Sequence, residues 1–304
     1  MPEFPDIMQA ALPAFVVLIL AELAYSMASG ARLYKGGDAW ANVALAFGAF
    51  LVATLSGGAV LAFMSWLYTF RLWTVPTTAW WAWVLCFFAE DLSYYWFHRF
   101  SHEVRWFWAS HSVHHSSEQY NFSVAVRQTW TGSISGSFLF WAWLPLVGFH
   151  PKMVLFMQSL SLIYQFWIHT RAIGKMPRWF EAVFNTPSHH RVHHGSDFDY
   201  LDANYAGTLI VWDRLFGSFV PETFAPRFGL THNIGTHNPL RIAFHEWIAI
   251  VRDLRKARDW RVAFGHLFQP PGWSADGSSL TTRQARAALR DRRGEPMAEG
   301  AAQK

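Results

Sequence analysis

Long apolar blocks separated by short polar breaks dominate the first 170 positions; beyond them apolar and polar residues mix. Residues 9–28 (QAALPAFVVLILAELAYSMA) carry one charge, Glu22, and are long enough to cross a bilayer as a helix. The stretch ahead of them holds Glu3 and Asp6 but no Lys or Arg, so it reads as a retained span and not as a cleaved signal peptide. Residues 41–70 form a second block with Gly57-Gly58 at its middle, which allows either one tilted helix or a tight hairpin. A third block, 77–97, is rich in Trp, and two more, 132–149 and 152–169, are joined by the short turn Gly148–Lys152. The pattern predicts an all-α integral membrane protein with four to five transmembrane helices.

After residue 178 the blocks stop. Residues 245–260 (HEWIAIVRDLRKARDW) predict an amphipathic helix with Trp247, Ile250, Val251 and Leu254 on one side. Such a helix suits either a membrane surface or packing on the domain. From Gly272 the chain is polar and rich in Arg and Ala. The expected organisation is membrane spans over 1–76, a histidine-bearing unit over 77–270 that includes the later spans, and a polar, disordered or loosely helical tail over 271–304.

Composition agrees with a chain that is part membrane and part water-facing. Hydrophobic residues make up 52% and charged ones 15%, against about 25% charged in an average soluble protein. This excludes a disordered chain and a small disulfide scaffold, and the single Cys86 excludes a thiolate metal site. Of the 25 Lys and Arg, 18 follow residue 170, together with 13 of the 21 acids. The basic residues follow apolar blocks, unlike the dense basic face of a nucleic-acid binder, so no nucleic-acid partner is expected. Arg32 and Lys35 follow the first block, Arg99 and Arg105 the third, and Arg171, Lys175 and Arg178 the last. If 41–70 is one span, all lie on the cytoplasmic face and the N-terminus is outside; a hairpin puts the N-terminus inside. The later histidines face the cytoplasm either way.

Eight of the 15 histidines fall in three boxes: His98-x-x-x-His102, His111-x-x-His114-His115 and His190-x-x-His193-His194, the last preceded by His189. Positions i, i+3 and i+4 share a helix face, so each box can aim its rings at one place. Ser110 and Ser188 are the expected N-caps of the second and third boxes, and Gly195 can end the third. Isolated histidines, His150, His232, His237, His245 and His266, are read as packed or hydrogen-bonded residues. The boxes are different: converging neutral imidazoles without a metal leave many nitrogens lacking partners. Two metal ions with four or five histidines each use the supply, with His169 as a ninth ligand and His189 counted among the donors. Imidazole suits iron, copper, nickel and zinc. Asp91 shares a helix stripe with His98 and His102 but lies roughly 10 Å below His98. It is assigned the orientation of a histidine from another segment, with a structural hydrogen bond near Tyr94 and Tyr95 as the alternative.

At these residues the sequence resembles the fatty acid hydroxylase/sterol desaturase superfamily of membrane di-iron enzymes, over roughly Asp91 to Trp273. The likeness rests on the three boxes and on NYAGTLIVWDRLFGSF (Asn204–Phe219). Within that superfamily the segments YYWFHRFSHE, HSVHHSSEQYN, LIYQFWIHT and NTPSHHRVHHG are most like those of the tetrahydropterin-dependent ether-lipid hydroxylases. The resemblance implies two ferrous ions, the eight box histidines as required residues, and a required Glu103 directly after the first box. It implies O2-dependent hydroxylation of a lipid, whether an alkylglycerol ether lipid, a fatty acyl chain or a sterol; desaturation on the same ligands is the alternative. The chain has no GxGxxG fingerprint, no CxxCH site and no cysteine set. Electrons must therefore come from a separate donor, a reduced tetrahydropterin or a small redox protein. A membrane metal transporter is the reading from another class, and box positions at span ends argue against it. A zinc hydrolase lacks its HExxH, since Ala249 and Trp106 stand where the second His belongs.

Overall fold

The computed structural model describes residues 4–293, and every regular element among them is helical. Helix α1 (Ile7–Ser29) is capped by Asp6, whose carboxylate accepts from Gln9 N, and ends at Gly30 in the left-handed region. Helix α2 (Gly36–Thr69) runs 34 residues, about 51 Å, straight through Gly57-Gly58. The hairpin alternative is therefore excluded; two glycines cost the helix only about 1 kcal/mol each and leave its ladder intact. These two helices are long and apolar enough to cross a membrane. Val17 and Leu20 on α1, and Phe47 and Leu55 on α2, are exposed with no protein against them, as a lipid-facing surface requires.

Helix α3 (Trp80–Glu103) follows, and extended Val104 alone separates it from α4 (Arg105–His115). Short pieces come next: α5 (Phe122–Ala125), α6 (Gly132–Ser135), a 3-10 turn (Ser137–Trp141) and α7 (Trp143–Val147). The block 132–149 was expected to span and does not. Gly136 and Gly148 take φ of 81° and 128° and break it twice. At Gly148 a Cβ would lie 2.4 Å from the Trp73 carbonyl oxygen, so only glycine admits the hydrogen bond from Val75 N to its own carbonyl. Helix α8 (Pro151–Trp167) covers the next block in 17 residues.

The remaining helices are α9 (Arg178–Val183), α10 (Pro187–His193), α11 (Val211–Leu215), α12 (Pro239–Lys256), α13 (Trp260–Phe268) and α14 (Thr282–Arg293). The predicted amphipathic stretch divides between α12 and α13. α12 packs on the domain through Ile242 and Ala243, buried with Ala41, Leu45 and Val113, and through Glu246 and Asp253, which pair with Arg105 of α4 at 2.7 Å each; of the predicted apolar side Ile250 is buried and Val251 is exposed. Within the expected tail, α14 is helical and Arg286 donates to the Phe198 carbonyl; residues 294–304 lie outside the described residues.

Buried carboxylates tie the long helices together at one end. Glu22, near the end of α1, accepts from Phe122 N at 2.7 Å and from the Tyr34 and Thr170 hydroxyls. Asp38, at the start of α2, accepts from the Ser117 hydroxyl at 2.6 Å. The C-terminal ends of α3 and α8 reach the same end. At the other end Phe4 packs against Trp83 and His150. Between the two ends Met64, Cys86, Trp141, Leu144 and Met153 form the main core.

Candidate metal centre

Three helices and one helix end carry the histidines. α3 presents His98 and His102, α4 presents His111, His114 and His115, α10 presents His190 and His193 with His194 just beyond it, and His169 follows α8. The caps differ from expectation. α4 starts at Arg105, directly after the Val104 bend, so Ser110 lies inside it and its hydroxyl pairs with Thr131. α10 starts at Pro187, which fits the first helical position, and Thr186 before it caps His189 N.

The rings meet in two groups. Ligand atoms of His98, His102, His111, His115 and His193 lie within 4.8 Å of one another, as do those of His114, His169, His190 and His194. His189 joins neither group. One residue before His190 means about 100° around the helix, and its ring meets the edge of Phe219 instead.

Backbone carbonyls set the tautomers. Nδ1 donates to Tyr205 O from His98 (2.8 Å), to Arg127 O from His114 (3.1 Å), to Gln165 O from His169 (2.7 Å) and to Ala203 O from His193 (2.9 Å). A carbonyl oxygen only accepts, so each of these rings carries its proton on Nδ1 and a lone pair on Nε2. His114 and His169 nevertheless face each other Nε2 to Nε2 at 3.1 Å. Two lone pairs at that distance repel unless a cation lies between them. The buried Nε2 atoms of His102 and His194 have no protein partner.

Burial, reinforced by neighbouring imidazoles, holds His111, His115, His190, His193 and His194 well below the ordinary histidine range, and burial brings His114 down to about 4. The rings are thus neutral at pH 7, the form that binds metal. An all-imidazole donor set without thiolate fits a pair of transition-metal ions and is wrong for calcium or magnesium.

An outer layer supports the five-histidine group. Asp213 accepts from Tyr205 N (2.7 Å), Ala206 N (2.8 Å) and the Ser218 hydroxyl (2.7 Å), fixing the segment whose carbonyls hold His98 and His193. Burial pushes its carboxyl up to about 6. Asp91 contacts no histidine. Its carboxylate accepts from Thr208 N (2.9 Å), Leu209 N (3.1 Å) and the Trp212 indole (2.9 Å), the continuation of the same segment. Asn204 adds a clasp, donating to the His189 and Val220 carbonyls. The four-histidine group leans elsewhere: buried Arg127, whose carbonyl holds His114, donates to Val113 O and Asn42 Oδ1. Glu103 lies in neither group and pairs with Arg99 at 2.9 Å. Sequence reading missed Asp213 and Arg127 as supports; Arg127 is the lone charge between Glu118 and Lys152, while Asp213 sits beside Arg214 in an otherwise apolar run. A cavity of about 290 Å³ opens onto His111, the one histidine of the nine that is not buried.

Comparison with known proteins fits this centre. A model of the fatty acid hydroxylase family matches residues 83–218, the stretch that holds all nine converging histidines. Residues 83–218 form a fatty acid hydroxylase domain. Among its relatives is alkylglycerol monooxygenase: the protein from Homo sapiens is 38% identical over 274 residues, 89% of this chain and 61% of the relative. The one from Xenopus tropicalis is 35% identical over 273 residues, 89% and 60% of the two chains. Ornithine lipid hydroxylase OlsE from Rhizobium tropici is 26% identical over 163 residues, 50% of this chain and 46% of that one. The chain thus spans about 61% of the length of the first of these relatives. No solved structure matches it.

Proposed function

We propose that the protein is a membrane lipid hydroxylase whose nine histidines hold two ferrous ions and whose substrate is an ether lipid of the alkylglycerol type. The observation that carries the metal reading is the facing pair of lone pairs on His114 and His169, 3.1 Å apart. The relatives' names supply the chemistry, since one acts on alkylglycerols and another on ornithine lipids. Neither name favours desaturation or metal transport.

When bound, two ferrous ions supply the activation of dioxygen needed to attack an aliphatic C–H bond. The chain's own residues do the rest. His98, His102, His111, His115 and His193 hold one ion and His114, His169, His190 and His194 the other. The carbonyls of Tyr205, Ala203, Arg127 and Gln165 keep the Nδ1 protons of His98, His193, His114 and His169 in place, so that these four rings offer Nε2. Eight of the nine histidines are buried, and the substrate approaches by the cavity at His111.

In this reading α3 and α8 join α1 and α2 in the membrane, giving four spans, and the catalytic unit runs to about residue 270. Basic residues Arg32, Lys35, Arg99, Arg105 and Arg171 gather at the histidine end, which supports a cytoplasmic face there and the N-terminus across the bilayer. Reducing equivalents come from a reduced tetrahydropterin, with a small redox protein as the other donor. The test is turnover of 1-O-hexadecylglycerol by the purified protein, loaded with ferrous iron and given tetrahydropterin and 18O-labelled dioxygen. A product bearing one 18O is expected. No labelled product from an iron-replete protein, with either donor, overturns the proposal.

A further inference from the structure

Helix α12 leaves one stripe without a protein partner. Phe244, Ile248 and Val251 lie at i, i+4 and i+7 and so share a face, and Ile248 and Val251 are 55% and 46% exposed. Farther along the same stripe the character changes, and Arg252, Arg255 and Lys256 follow. Together with Trp247 these residues line a groove of about 720 Å³. From Phe244 to Lys256 the helix rises about 18 Å. The groove is thus apolar at one end and cationic at the other.

The cations are uncompensated. All three are exposed, and none bonds or pairs with another described residue. The nearby acids are engaged elsewhere. Glu246 and Asp253 turn inward to Arg105, and Asp259 caps Val262 N and faces Arg258. Like charges one helical turn apart repel each other until an anion joins them.

The apolar end meets the lipid-facing part of the molecule. Ile242 and Ala243 are buried with Ala41 and Leu45 of α2. The Phe244 ring lies 6.2 Å from that of Trp130, whose indole donates to Leu45 O at 2.9 Å. Leu45 is about 14 Å along α2 from its start at Gly36, and Val43 and Phe47 are exposed at the same level. The groove therefore begins beside the first turns of a helix long and apolar enough to cross a bilayer. Its apolar wall and cationic end are the complement of an amphiphile with an acyl chain and an anionic head. A zwitterionic lipid satisfies the wall and leaves the cations unpaired.

We infer that this groove docks an anionic phospholipid of the surrounding bilayer, with an acyl chain along Phe244, Ile248 and Val251 and the phosphate at Arg252, Arg255 and Lys256. The inference needs α1 and α2 in a bilayer and is independent of the reaction proposed above.

The test uses the full-length protein in phosphatidylcholine nanodiscs, with Leu240→Cys labelled by a thiol-reactive bimane. Leu240 is 60% exposed and lies one turn beyond Phe244 on the same stripe, outside the groove lining. The native Cys86 is buried and does not compete for the label. Chain-brominated phosphatidylglycerol or chain-brominated phosphatidylcholine is then included at the same minor fraction. Each cation near a membrane surface favours an anionic head by about five-fold, so the brominated phosphatidylglycerol should quench the bimane several-fold more. Replacing Arg252→Gln, Arg255→Gln and Lys256→Gln together should remove the difference. A bimane at Leu55→Cys, exposed on the middle of α2, should be quenched alike by both lipids. Equal quenching by the two lipids at position 240, or a preference that survives the triple replacement, overturns the inference. Quenching by neither lipid overturns it as well and places a second copy or another protein over the groove. Because the readout is binding, absence of lipid oxidation by the iron-loaded protein leaves the inference standing.

Discussion

Asp213→Asn should empty one metal site and spare the other. The substitution keeps shape and removes an acceptor. Asp213 receives two backbone N–H groups, from Tyr205 and Ala206, at 2.7 and 2.8 Å, as well as the Ser218 hydroxyl. An amide has one acceptor oxygen, so at least one buried donor then faces an NH2 group. Losing a hydrogen bond to a charged group costs about 1.5–3 kcal/mol. That cost falls on the segment whose carbonyls receive Nδ1–H from His98 and His193. Both rings belong to the five-histidine group. Loss of such a support typically lowers metal affinity 10- to 100-fold, which is about 1.4–2.7 kcal/mol and agrees with the loss of one such bond. The rings of the four-histidine group are held by Arg127 O and Gln165 O, and the segment meets that group through Asn204, which donates to the His189 carbonyl beside His190. With free ferrous iron buffered a few-fold above the wild-type dissociation constant, the variant should therefore bind about half the iron of the wild-type protein. Elemental analysis gives the total, and Mössbauer spectra of 57Fe-loaded protein show whether one signal survives. Equal loss from both sites, or no loss at all, refutes the independent support inferred for the two groups.

Removing a ligand outright tests each group. His114→Ala and His193→Ala should each abolish lipid oxidation while the protein still inserts in the membrane; His114→Ala leaves three rings and should lose its ion more completely than His193→Ala, which leaves four, as iron titration will report. Glu103→Gln should lower turnover with less iron loss than either histidine change, because Glu103 pairs with Arg99 outside both groups; equal iron loss makes it a structural prop. The metal-free protein should lose stability as pH falls below about 6.5. His114 has a folded value of about 4, so the unfolded chain takes up its proton first, and roughly 3 kcal/mol present above pH 6.5 disappears on the way to pH 4. The five other box histidines on α4 and α10 act with the same sign. Asp213, raised to about 6, acts the other way, since its contribution falls as pH rises, but one carboxyl is outweighed by six rings. Melting curves from pH 8 to 5, with and without ferrous iron, should show a steep fall that metal flattens; a metal-free melting point independent of pH contradicts the burial of neutral rings.

The histidine boxes were legible because helical spacing and ligand type both repeat, and His169 stood out as a lone histidine at the end of an apolar block. His189 looked equivalent by type and was separated from the others only by helix phase. The carbonyls of Ala203, Tyr205, Arg127 and Gln165 could not be read in advance, because every residue has a carbonyl and nothing in a side chain marks the one that will meet an imidazole. Asp91 was noticed for its charge and assigned toward a histidine; its three donors come from residues 208–212, a pairing across more than 110 positions that periodicity cannot see. Hydropathy read 132–149 as a span since it counts apolar side chains. Gly136 and Gly148 decide the matter through backbone angles to which hydropathy is blind.

The two groups differ in a way that assigns them separate tasks. The four-histidine group is buried throughout and braced by Arg127 and α8, so no lipid can reach it directly. The five-histidine group has one more ring than a four-coordinate ion needs and includes His111, the ring that borders the cavity. In the proposed function the substrate approaches on that side. The extra ligand also gives that site latitude, since one imidazole can yield its place while four remain. His111 is the candidate to move: no backbone carbonyl holds it, as none holds His102 or His115, and of these three it is the one that borders the cavity. His98 and His193 are pinned through Tyr205 and Ala203.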